Sequence, residues 1–90
     1  MNNKSRAEQV KEIESDYHGK IRELEEQLRS EHRELNKIEK LIEHESKKTT
    51  DQSKKSILNA QKAKINTSIH KIKKNIKQVQ KEKSKKLKRL

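Results

Sequence analysis

Two stretches of this chain carry an apolar stripe with helical period, and a wholly polar gap separates them. Few folds accommodate that pattern. In the first stretch the stripe runs through Val10, Tyr17, Ile21, Leu24, Leu28, Leu35, Ile38 and Ile42. Steps of three, four and seven keep side chains on one face of a helix that winds against another. With Ile21 at heptad position a, Leu28, Leu35 and Ile42 are also a, and Val10, Tyr17, Leu24 and Ile38 are d. Ile13 and Leu41 widen the stripe, while Glu14, Glu31 and Glu45 interrupt it. In the second stretch Leu58, Ile65, Ile72 and Val79 fall at d, Ile69 and Ile76 at a, with Ile57 alongside. Lys62 interrupts this stripe early. Beyond Val79 the stripe fades: Lys83 takes an a position and Lys86 a d position, and Leu87 and Leu90 follow.

Little in the chain breaks a helix. There is no proline and one glycine, Gly19, which falls on the outer face at f. A helix-interior glycine costs about 1 kcal/mol relative to alanine. Ser5-Arg6-Ala7-Glu8 has the spacing of a capping box. The gap from Ser46 to Ser53 has no apolar residue, and Thr49, Thr50, Asp51 and Ser53 are all candidate N-caps. The expected fold is all-α: an antiparallel coiled-coil hairpin forming one domain over 1–90. Helix 1 spans about 5–46, the turn about 47–52, helix 2 about 53–82, with a basic, fraying tail at 83–90. Without Gly or Pro in the gap, one unbroken helix is the alternative.

A turn near residue 50 sets the register. Ile42 then meets Leu58, Leu35 meets Ile65, Leu28 meets Ile72, Leu24 meets Ile76 and Ile21 meets Val79. Glu45 falls opposite Lys55 and Glu14 opposite Lys86, pairs suited to fixing register. Glu31 opposite Ile69 and Lys62 opposite Ile38 fit poorly and point to a further chain. Apolar residues are 26% of the 90, too few for a wide globular core, and small scaffolds rarely stand alone. Homodimerisation into a four-helix bundle, or docking on partner helices, is therefore expected.

Charge divides along the same boundary. Residues 1–46 carry 9 Lys/Arg against 12 Asp/Glu, and residues 47–90 carry 16 against 2. On helix 1, Asp16–Lys20, Glu25–Arg29 and Glu43–Lys47 are acid-first pairs at i, i+4, and Glu8–Lys11 and Glu34–Lys37 are pairs at i, i+3. On helix 2 the positions flanking the seam are mostly neutral: Asn59, Gln61, Asn66, Ser68, Asn75 and Gln80, with Lys73 the exception. Lys64, Lys71, Lys74, Lys77, Lys81, Lys85 and Lys88 lie outward at b, c and f. Such a run ordinarily serves solubility. Seven lysines with no interspersed acid point instead to an anionic partner: an acidic protein, nucleic acid or, less well matched, a membrane surface. Base reading usually needs Arg, Asn, Gln or aromatic groups. There are 5 arginines and a single aromatic, Tyr17.

Chemistry-bearing motifs are absent. No cysteine is present, so there is no thiolate site, which fits a reducing compartment. His18, His32, His44 and His70 are never spaced i, i+4; His32 and His70, with Glu31, are the one set the hairpin could bring together around a metal. There is no glycine-rich phosphate loop and no nucleophile elbow. Met1 to Val10 lacks a signal-like apolar core, and no apolar run reaches membrane-spanning length. The richness in Lys, Asn, Ile and Glu is a habit of AT-rich bacterial, phage or plasmid genes.

In shape and length the expected hairpin is similar to the RNA-binding dimers that control plasmid copy number. It is also similar to the small hairpins of type VII secretion and their accessory targeting proteins. The secreted hairpins usually carry Trp-x-Gly at the turn, where this chain has Lys48-Thr49-Thr50-Asp51, so no residue role follows. The expected function is non-enzymatic: a cytoplasmic coiled-coil adaptor, targeting or assembly factor that docks on partner helices and an acidic surface. No cofactor, metal or small-molecule substrate is expected. Nucleic-acid binding without sequence specificity is the alternative.

Overall fold

Helix α1 runs Arg6–Lys48 and helix α2 runs Gln52–Lys88, packed antiparallel as a hairpin in the computed structural model. The structure describes residues 4–48 and 52–90. The candidate caps Thr49, Thr50 and Asp51 lie outside them. Ser53 lies inside α2 and is not its cap. At 1.5 Å per residue, 43 residues span about 65 Å, and the long axis of the molecule measures 70 Å against 16 Å across.

The N-terminus of α1 is capped as its sequence dictates. The Glu8 amide donates to Ser5 Oγ at 3.2 Å, and the Gln9 amide donates to the Ser5 carbonyl at 3.0 Å. Lys4 adds an ion pair with Glu12, two turns into the helix. In mid-α2, the Thr67 hydroxyl donates to the Ala63 carbonyl at 3.0 Å, a back-bond that occupies it within its own helix.

Burial follows the heptads. Every expected packing residue is at least half-buried: Tyr17, Ile21, Leu24, Leu28, Leu35, Ile38 and Ile42 on α1, and Leu58, Ile65, Ile69, Ile72, Ile76 and Val79 on α2. Among the described residues only Tyr17 and Ile69 are buried, at 4% and 6% exposure. That is the signature of two helices alone: each seam side chain is covered by one neighbour and left open on its flank. The accessible surface is 7447 Å², roughly a third more than the ~5,500 Å² of a compact globule of this mass.

The seam's polar residues do not all pair as the register predicts. Lys62 does not stay against Ile38; its ammonium reaches Glu39 Oε1 at 3.8 Å across the helices. A lysine can bury its stem along the seam and send its charge to the rim, so this mismatch is resolved within one hairpin. Glu45 and Lys55 are both half-buried but form no ion pair, and Glu31 pairs with no described residue.

The expected Glu14–Lys86 layer is not formed. Glu14 and Lys86 are both exposed, and their neighbours Ile13 and Leu87 are half-buried instead. Apolar side chains one position away win the seam, because burying them costs no desolvation. Lys86 turns onto Tyr17, its Nζ 5.4 Å from the ring centroid, while Lys20 Nζ lies 4.8 Å from the same ring. Helical side chains lean toward their own N-terminus. Tyr17 and Lys86, on antiparallel helices, therefore lean toward each other. Together with half-buried Lys83, Leu87 and Leu90, this carries α2 to Lys88, past the expected end of helix 2 at about residue 82 and into the expected tail at 83–90.

Candidate interaction surface

The outer face of α2 carries the densest run of like charges among the described residues, and the fold leaves that run unpaired. All seven lysines expected to point outward do so: Lys64, Lys71, Lys74, Lys77, Lys81, Lys85 and Lys88 are exposed, and none forms an ion pair with a described residue. They sit on a straight helix, so Lys64 to Lys88 covers about 36 Å at 1.5 Å per residue. Glu82 is the only described acid on α2. It lies at g, beside the seam and three residues before Lys85, and forms no ion pair with a described residue.

The charges of α1 are handled differently. Two of the expected i, i+3 and i, i+4 pairs close, Glu34–Lys37 and Glu43–Lys47, both at 3.5 Å. Asp16–Lys20, Glu25–Arg29 and Glu8–Lys11 do not close, and Lys20 goes to the Tyr17 ring instead. The only ion pair between the helices is Lys62–Glu39, among the described residues. Helix α1 therefore does not neutralise α2.

Two shallow grooves run along α2. One, of about 550 Å³, is lined by His70, Lys73, Lys74, Ile76, Lys77 and Gln80. The other, of about 420 Å³, continues it toward the C-terminus past Lys81, Ser84, Lys85 and Lys88. Lys77 and Gln80 line both, which makes one track. Its walls are largely apolar, from Ile76 and the lysine stems, and its rim is ammonium. Lys64 and Lys71 lie outside this track, toward the other flank.

Sequence reasoning found the lysines but not the groove. It placed Ile76 in the seam, where it is only half-buried, and set Lys73 aside as an exception among neutral flanks. A half-open two-helix seam is the missing signal: its a and e positions serve the partner helix and the surface at once.

Among the described residues no group of three or more His, Cys, Asp or Glu could hold a metal ion, and no helix is long and apolar enough to cross a membrane. His32, His70 and Glu31 do not come together as a metal group. No family model, no curated protein and no solved structure matches this chain.

Proposed function

We propose that this chain is a non-enzymatic interaction protein, an adaptor, targeting or assembly factor of the cytoplasm, which docks on an acidic protein surface through the outer face of α2. The observation that carries the reading is the row of seven exposed lysines, unpaired with any described residue and with Glu82 the one acid on their helix. Like charges three or four residues apart destabilise a helix by a few tenths of a kcal/mol each. An acidic partner relieves that repulsion. The open flanks of the seam and the large surface support a second role, in which further helices, from another copy or from the partner, complete the bundle.

The competing reading is nucleic-acid binding without sequence specificity. Lysines suit phosphates as point charges. Base stacking is unavailable, because the single aromatic ring is buried at Tyr17. A gel shift with duplex DNA across a salt series separates the readings. Seven phosphate contacts predict a log–log slope of about −6; the acidic-protein reading predicts no shift at physiological salt. A pull-down from the native host, repeated with the K71E/K74E/K77E variant, tests the proposal directly. Loss of an acidic protein from the variant's eluate supports it, and equal capture by both forms contradicts it.

A further inference from the structure

The geometry points to a specific occupant for the α2 track: an acidic amphipathic helix, one apolar edge seated on the groove floor and its carboxylates against the ammonium rim. This rests on the reading that the basic face docks an acidic protein, and goes further by naming the shape and patterning of the segment.

Three observations converge on it. The first is the groove's composition. A face built only to attract phosphates or scattered surface acids has no use for an apolar floor, yet Ile76 and the stems of Lys73, Lys74 and Lys77 line one. The second is length. The track runs from His70 to Lys88, about 27 Å on a helix, enough for roughly five helical turns of partner.

The third is spacing. Lys74, Lys77, Lys81, Lys85 and Lys88 recur by threes and fours, so a lysine appears about every 5.4 Å, once per turn. A second helix carrying Glu or Asp once per turn matches that interval along its whole length. An extended strand repeats on one face only every ~6.6 Å and falls out of phase within three or four repeats. Helix-in-groove recognition with i, i+3, i+4, i+7 anchors is an established mode of binding. The groove is formed by α2 side chains alone, and half-buried Ile76 is its aliphatic contact.

The experiment uses the full chain and three probes, followed by fluorescence anisotropy. The first is a labelled 21-residue helical peptide with Leu at the a and d positions of three heptads and Glu at most others. The second has Gln for every Leu at the same charge. The third is a 20-base-pair DNA duplex. The amphipathic peptide should bind at least tenfold more tightly than the Gln peptide at physiological salt. K74E/K77E/K81E, checked for retained helicity, should lose at least tenfold in affinity. L41Q/I57Q, which alters exposed apolar residues outside the track, should bind as wild type does.

Equal affinity for the two acidic peptides overturns the amphipathic inference while leaving the acidic-partner reading standing. Binding lost in L41Q/I57Q but kept in the triple variant also overturns it, by moving the contact to another flank. Failure of both peptides, with or without binding of the duplex, overturns the acidic-partner reading as well.

Discussion

The two helices share a seam but treat charge in opposite ways. Helix α1 mixes acids and bases and closes some of them locally, through Glu34–Lys37 and Glu43–Lys47, with Lys4 just ahead of it reaching Glu12. Helix α2 sends Lys62 to Glu39 and turns Lys86 onto an aromatic ring. Its outer lysines meet no acid among the described residues. The difference teaches that packing and charge display can be separated on one helix. The a and d positions hold α2 in the hairpin, and b, c and f are then available for something else.

The sharpest break of this division comes from the seam. Replacing Leu28 and Ile72 by Asp puts two carboxylates at facing half-buried sites. A loss of several kcal/mol is expected, enough to unfold a scaffold this small. Circular dichroism should show helicity collapse in both helices together. A helical double variant would mean that the helices stand without their seam.

Next in size is Ile69, one of two buried side chains among the described residues. Ile69→Ala should cost about 2–3 kcal/mol, toward the low end for core truncations because the seam is open. Leu41→Ala, at a site 47% exposed, should stay within about 0.5 kcal/mol. Thermal melts of the two variants test whether burial in the single hairpin is the burial that matters in solution. If Leu41→Ala proves the costlier, a second chain covers that flank.

Smaller, and opposite in sign, is Gly19→Ala. A Cβ there meets no atom within 4 Å and φ is not positive, so a stabilisation of about 1 kcal/mol is expected. A chemical-denaturation midpoint that falls instead would show that the outer face of α1 is occupied. The smallest effect on the fold belongs to K71E/K74E/K77E. All three sites are exposed and unpaired among the described residues, so stability should move by no more than about 0.5 kcal/mol while binding to an acidic partner is lost. A large drop in melting temperature would mean that those lysines hold the fold.

The hairpin was legible because a period of threes and fours survives the interruptions within each stretch, Val10 to Ile42 and Leu58 to Val79, and the residues on those stripes are at least half-buried. The open end was not. There Glu14 and Lys86 hold the heptad positions, and burial passes instead to Ile13 and Leu87, one residue away. Heptad bookkeeping treats neighbouring positions as different faces, whereas a small rotation of a straight helix exchanges them, since 3.6 residues per turn drifts against a strict seven-residue repeat. Lys83 and Lys86 looked like the end of the stripe because a lysine is scored by its charge, although its four-carbon stem packs like an apolar chain. The groove on α2 stayed hidden for the same reason: its floor is partly made of lysine stems.

The placement of Tyr17 has an optical consequence. It is the only aromatic residue and there is no tryptophan, so every near-ultraviolet signal from the chain originates in one ring. That ring is 4% exposed and touched by a cation from each helix. Separation of the helix ends would hydrate it and remove both ammonium groups at once. The protein thus carries its own gauge of hairpin opening, at the end away from the turn, readable without attaching a dye.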